Sequence, residues 1–186
     1  MERSYQWAFQ KIKRVKGILY KTRNFCPSST LRSLYHSLFN SRVCYGLPVW
    51  GYANEIYLDK IIKAQKKAIR AITFSKYSEH VTPLLKKQKI LNIKDLRYQK
   101  TASLLWDLEK EVLPPSLSAY FTKANSTHNF NTRFASSGKY VIRNSTNSFQ
   151  SIGAKISNVL TSTQAFSATN KKTFLANIKE ELLSNY

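Results

Sequence analysis

Acidic residues are scarce in this chain: among its 186 residues, 10 Asp and Glu stand against 30 Lys and Arg, and the formal net charge at pH 7 is +20. A chain with this excess of cations repels itself unless a polyanion neutralises it. Nucleic acid is therefore the first candidate partner, and an anionic membrane is the second. The scarcity of acids also argues against two-metal phosphoryl transfer, which needs several carboxylates at one site.

Groups that could carry other chemistry are few and scattered. The Asp and His residues lie far apart in the sequence: Asp59, Asp95, Asp107, His36, His80 and His128. The 5 glycines form no phosphate-binding loop, and no serine lies in a G-x-S-x-G pattern. We therefore predict no catalytic residue, no metal site and no cofactor.

Cysteines and long apolar runs are also lacking. Cys26 and Cys44 are too few for a disulfide framework, and their spacing fits no zinc site. Free thiols are expected in a reducing compartment, which indicates an intracellular protein, nuclear or cytoplasmic, rather than a secreted one. No apolar run reaches the length of a membrane span, and the N-terminal segment lacks the apolar core of a secretory signal.

The stretch from Leu58 to Thr73 has the clearest pattern in the chain. Its apolar residues recur at helical spacing and share one face with Gln65: Leu58, Ile61, Ile62, Ile69 and Ile72. Its cations fall on the opposite side: Lys60, Lys63, Lys66, Lys67 and Arg70. A helix divided in this way can bury one side in a core and present cations on the other. The alternative is a solvated face that binds nothing.

Similar apolar spacing elsewhere predicts a mainly α-helical protein. We expect a thumb-like helical bundle over residues 1–121, a polar linker over 122–151 that is partly extended or disordered, and a helical tail over 152–186. In the loosely structured part, residues 140–142 could form a strand paired with residues 149–152, as a short β-hairpin. Asn92 and Asn170 are expected to cap helices, the second of them the last helix of the chain.

Several motifs follow one another along the sequence. They are Tyr45-Gly46 with Val49-Trp50-Gly51, the Q-K-K-A-I-R run Gln65–Arg70, His80 with Thr82-Pro83-Leu84, the break Leu113-Pro114-Pro115, the H-N-x-x-T-R segment His128–Arg133, and the closing stretch Thr173–Leu183. As an ordered set they resemble the region after the polymerase palm in reverse transcriptases of non-LTR retrotransposons, the LINE-like, jockey-type transposable elements. The usual L-W-N-x-L-P motif of the tail is altered here to Ile156–Thr161.

The resemblance implies a thumb that holds a template–primer duplex by its backbone. Phosphate contacts would come from Lys60, Lys63, Lys66, Lys67 and Arg70, with Lys11, Arg14 and Arg42 as further candidates. Tyr45, Trp50 and Tyr52 could stack on bases, although core packing is the expected role of Tyr45 and Trp50.

The palm of this family and its catalytic aspartates are missing from the sequence. We therefore expect a non-catalytic C-terminal fragment of an RNA-directed DNA polymerase that binds RNA or an RNA–DNA duplex. A separately encoded palm region could be a further partner. The alternative is a basic helical module that binds proteins or a membrane surface and has no role with nucleic acid.

Overall fold

The computed structural model describes residues 2–52, 55–127, 132–142 and 148–186, and this part of the chain is mainly α-helical. The predicted fold class is thereby confirmed. The chain divides into two compact units, Met1–Arg97 with Glu180–Tyr186, and Tyr98–Lys179. The boundaries predicted at 121/122 and 151/152 both fall inside the second unit, and the three-part division stays a prediction.

The first unit is built from helices joined by short loops. They are α1 (Glu2–Thr22), α2 (Ser28–Leu34), α3 (Ser41–Cys44), α4 (Leu47–Trp50), α5 (Glu55–Ile72) and α6 (Val81–Gln88), with the start of α7 (Ile93–Glu109) and the end of α11 (Lys171–Ser184). A π-helical segment, Tyr35–Asn40, continues α2 directly into α3. Gly46 has a φ of 65°, a conformation that glycine adopts without strain, and it separates α3 from α4.

The core of the first unit centres on α5. Ile61, Ile69 and Ile72 are completely buried, Leu58 is 2% exposed, and only Ile62 of the predicted apolar face is half-buried. Neighbouring helices supply further buried side chains: Ile12, Val15, Leu19, Leu31, Tyr35, Phe39, Val43 and Leu47. The apolar face predicted from the spacing of these residues is therefore the face that packs.

Gln65 is the one polar side chain on that buried face. It is 2% exposed, and its Nε2 donates to the hydroxyl oxygen of Tyr35 at 3.0 Å and to the carbonyl oxygen of Leu91 at 2.9 Å. A buried polar group without partners would cost about 1–3 kcal/mol. These two hydrogen bonds explain how an amide occupies a position that the pattern otherwise reserves for apolar residues.

The start of α7 is held from two sides. The side chain of Asn92 accepts from the backbone N–H of Asp95 at 2.9 Å, which confirms the predicted cap. The hydroxyl group of Tyr186 donates to the Asp95 carboxylate at 2.6 Å and accepts from the backbone N–H of Asn92 at 2.7 Å. Lys86 donates to the backbone oxygen of Tyr186 at 2.8 Å, so this residue is fixed by both its side chain and its backbone.

Three buried or half-buried tyrosine hydroxyl groups should make the protein sensitive to alkali. Burial is the main cause that raises the pKa of Tyr35, Tyr140 and Tyr186 above the ordinary value of about 10. Above pH 10 the unfolded chain releases these protons while the folded chain keeps them, so the free energy of unfolding should fall as pH rises. Absorbance of phenolate during a pH titration should show these tyrosines ionising late. A Tyr186→Phe variant should lose less stability over the same range, and an equally steep loss would contradict this prediction.

The second unit contains the rest of α7 and α11 with α8 (Pro115–Ser118), α9 (Arg133–Ser136) and α10 (Phe149–Ser162). Trp106 and Phe174 pack with their ring centroids 4.6 Å apart, and Phe166 stacks on Phe174 at 5.6 Å. Gly153 lies so close to Phe121 that an added Cβ would come within 2.8 Å of its ring. The predicted cap of α11 is present, since Asn170 accepts from the backbone N–H of Thr173 at 2.8 Å.

The predicted β-hairpin is wrong. Residues 149–152 begin helix α10, because Ser148 caps it by accepting from the backbone N–H of Ser151 at 3.2 Å. Tyr140 instead makes a single antiparallel bridge with Lys123. Parts of the predicted linker, including the first four residues of the H-N-x-x-T-R segment, lie at 128–131 and 143–147, outside the described residues.

Candidate nucleic-acid interface

Helix α5 presents its cations away from the buried face. Lys60, Lys63 and Lys66 are exposed, and Lys67 and Arg70 are half-buried. Three of them, Lys60, Lys63 and Lys67, follow the spacing i, i+3, i+7 and so lie in one row, which we call the basic stripe. At 1.5 Å per residue the stripe is about 10 Å long, roughly three nucleotide steps of one DNA strand.

The lysines of the basic stripe form no ion pair with an acid of the described residues. The acid at the start of α5, Glu55, is drawn to Lys94 at 3.6 Å and to Arg97 at 4.0 Å. Asp59 is the only acid within the stretch that carries the stripe. Outward-facing cations that no ion pair holds can interact with an external polyanion.

Arg70 is held in a different way from the lysines. Its Nε and one terminal nitrogen donate to the backbone oxygen of Glu79 at 3.0 and 2.8 Å, and its guanidinium lies 5.6 Å from the ring centroid of Tyr77. Arg70 therefore fixes the loop between α5 and α6. Helical periodicity alone groups Arg70 with the lysines, because periodicity does not show which cation forms hydrogen bonds with the loop that follows the helix.

The remaining predicted candidates lie beside the basic stripe or on other helices. Lys66 belongs to α5 but lines a cavity of about 380 Å³. Arg14 is exposed on α1, whereas Lys11 on α1 and Arg42 on α3 are half-buried. The structure thus brings the α5 cations together on one helical face, whereas Lys11 and Arg14 lie on α1 and Arg42 lies on α3.

The cavity beside Lys66 is lined by groups that already have partners. Gln65 bonds to Tyr35 and Leu91, the Asp95 carboxylate accepts from Tyr186, and Lys94 pairs with Glu55. These contacts stabilise the unit from within. In the described part of the chain, no three His, Cys, Asp or Glu side chains are placed so that they could share a metal ion.

The three aromatic residues near α4 that are candidates for base stacking, Tyr45, Trp50 and Tyr52, differ in their exposure to solvent. Trp50 is 6% exposed and its indole N–H donates to the backbone oxygen of Tyr45 at 2.7 Å, which confirms its predicted core role. Tyr45 is 74% exposed, so its expected core role is wrong. The helix ends at Cys44, and the extended backbone of Tyr45 takes the side chain out of the helical periodicity. Tyr52 is half-buried under the guanidinium of Arg97, 4.4 Å from its ring centroid.

The helical pattern of the sequence does not reveal the exposed aromatic residues in two loops of the first unit, Phe25, Phe74 and Tyr77. They lie between helices, where helical periodicity carries no information about them. The signal that could identify them is composition, because large aromatic side chains are unusual in short loops that polar residues normally fill.

Comparison with known proteins finds no match to this chain among family models, curated proteins or solved structures. The resemblance to reverse transcriptases therefore stays a prediction. Every helix in the described residues is too short or too polar to traverse a bilayer. Cys26 and Cys44 form no disulfide, and both residues are half-buried.

Proposed function

We propose that this chain binds the backbone of a nucleic-acid duplex through α5, as the thumb and post-thumb part of a non-LTR retrotransposon reverse transcriptase. One observation carries the proposal. The same helix that is buried at the centre of the first unit through Ile61, Ile69 and Ile72 presents on its other side a row of lysines that form no ion pair among the described residues. The backbone of a helix anchored in this way is fixed, so binding to a phosphate backbone has to order only the lysine side chains.

The distribution of charge supports a polyanionic partner. The first unit has 20 Lys and Arg residues and seven Asp and Glu residues, a formal charge of +13. The second has 10 and three, a formal charge of +7. Contacts from lysines to phosphates position a duplex without selecting a base sequence. The proposed activity is therefore binding by charge and shape, with RNA–DNA hybrid or RNA as the ligand.

A salt titration of binding to an RNA–DNA hybrid tests this proposal. If about five or six phosphates are neutralised, the logarithm of the affinity should fall with the logarithm of salt concentration with a slope of about −4 to −6. A flat slope, or tighter binding to anionic vesicles than to the hybrid, would favour the alternative of a protein- or membrane-binding module. In the same preparation, with Mg²⁺ present, dNTPs should not be incorporated into a primer, and any extension would contradict a purely binding role.

The proposal also implies where the protein works and with what. A thumb acts beside a palm, so a separately encoded palm region is a partner we propose for the first unit. Two cysteines that form no disulfide suit a reducing compartment, and we propose that the protein lies inside the cell, in the nucleus or the cytoplasm.

A further inference from the structure

Two loops meet at one end of the first unit. The turn after α1 and the loop after α5 are joined by a hydrogen bond in which the hydroxyl group of Ser28 donates to the backbone oxygen of Ile72 at 3.1 Å. The guanidinium of Arg23 lies 5.1 Å from the ring centroid of Phe74. Residues 23–28 and 72–77 are therefore neighbours, although they are far apart in sequence. We call the exposed aromatic residues of these loops, Phe25, Phe74 and Tyr77, the aromatic end.

The aromatic end is open to solvent. Phe25 is 87% exposed, Tyr77 is 76% exposed and Phe74 is 47% exposed. The core of this unit does not use these rings, so packing gives no reason for three large aromatic side chains here. Exposed apolar groups that lie together often mark a binding surface.

Phe74 has a backbone conformation that aromatic residues seldom adopt. Its φ is 58°, and it lies in the left-handed position that follows α5, where the N–H of Ser75 donates back to the carbonyl oxygen of Arg70 at 3.1 Å. Glycine is usual at this position because a Cβ is unfavourable there. The other described residues with positive φ, glycines apart, are polar: Lys89, Glu111 and Gln164. Among the described residues, Phe74 is the only aromatic residue with a positive φ.

Arginine guanidinium groups lie over two of the three rings, at distances that allow cation–π contacts. Arg23 covers Phe74, and Arg70 covers Tyr77 while its hydrogen bonds to the Glu79 backbone fix the loop. Lys76 adds an exposed cation between the two aromatic residues of this loop, and Glu79 is the only acid in its sequence. Aromatic rings with cations beside them suit unpaired nucleotides, because the bases stack and the phosphates are neutralised.

We propose that the aromatic end stacks on unpaired bases of a single-stranded segment that adjoins the duplex held by the basic stripe. This inference rests on the proposed function of α5. The geometry supports it, because α5 runs directly into the aromatic end. The last residue of α5, Ile72, follows Lys67 by five residues, about 8 Å of helix axis, and Phe74 comes two residues later. A duplex lying along the stripe would bring its terminus, or a junction with a single strand, to the exposed rings.

The experiment compares a blunt RNA–DNA hybrid with the same hybrid carrying a short single-stranded overhang. The unmodified protein should bind the overhang form about tenfold more tightly, because stacking of one unpaired base on an aromatic ring strengthens binding by roughly this factor. The double variant Phe25→Ala, Tyr77→Ala should lose this preference and keep both its affinity for the blunt hybrid and its salt slope. The matched control is Tyr120→Ala, Phe134→Ala, which removes two exposed aromatic side chains of the second unit and should leave the preference unchanged.

A second variant separates binding from folding. Phe74→Gly should raise the melting temperature, because glycine suits the positive φ, and it should lower the preference for the overhang several-fold. A rise in melting temperature with no change in the preference for the overhang would show that the Phe74 ring takes no part in binding, and that result would overturn the inference.

The outcomes also distinguish this inference from the proposed function. Equal binding of blunt and overhang hybrids, with a steep salt slope, overturns the stacking and leaves backbone binding intact. Failure to bind either hybrid overturns both. Binding to anionic vesicles that depends on Phe25 and Tyr77, without any overhang preference, would overturn the stacking and identify the aromatic end as a membrane contact.

Discussion

Replacing Lys60, Lys63 and Lys67 with Glu should weaken binding to an RNA–DNA hybrid at least about 100-fold. Three phosphate contacts at about 1 kcal/mol each already correspond to roughly this factor, and the new carboxylates add repulsion. The salt slope should also become shallower by about three, one for each lost contact. Fluorescence anisotropy over a range of salt concentrations measures both effects. Far-ultraviolet circular dichroism should show unchanged helicity, because these side chains do not belong to the core.

The control for this variant carries the same change of net charge elsewhere. Arg133→Glu, Lys155→Glu and Lys172→Glu alter three exposed cations of the second unit, none of which has an ion pair among the described residues. We expect a loss of only a few-fold, through the long-range field. An equal loss in both variants would show that the stripe is a solvated face and that binding follows net charge alone. Arg70 is left unchanged because its role in the loop would confuse the result.

Ile69→Ala should lower the free energy of unfolding by about 2–5 kcal/mol. Ile69 is completely buried at the centre of the first unit, and its truncation removes apolar contacts and leaves a cavity that the packed neighbours fill only in part. Chemical denaturation of the variant and the unmodified protein measures the difference. For an ordinary domain a loss of this size is a large share of the total stability.

Two isoleucines of the same helix provide graded controls. Ile56 is 65% exposed, so Ile56→Ala should change the free energy of unfolding by no more than about 0.5 kcal/mol. Ile62 is half-buried, and Ile62→Ala should fall between the other two. If all three variants lost the same stability, α5 would not be the buried centre of the unit, and the anchoring on which the basic stripe depends would be absent.

The division of α5 is predictable from sequence because helical geometry is local. Spacings of three and four residues determine which side chains share a face, so the pattern alone assigns Ile61 and Ile69 to the core and the lysines to the outside. The caps at Asn92 and Asn170 are predictable for the same reason, since a cap needs only a side chain and a backbone N–H three residues later. The strand expected at residues 149–152 is wrong because Ser148 caps a helix there, and a short apolar run does not by itself distinguish a strand from the first turn of a helix.

The sequence by itself therefore determined the helical class of this protein, its excess of positive charge and the two faces of its central helix. The tertiary structure alone decided which cations remain available, because Arg70 is taken by the backbone of Glu79 in a loop whose conformation no periodicity describes. It also decided that Gln65 could be buried, by bringing Tyr35 and Leu91 to it from distant parts of the chain. The aromatic end exists only because folding brings two loops together, and contacts between distant segments are not encoded in local spacing.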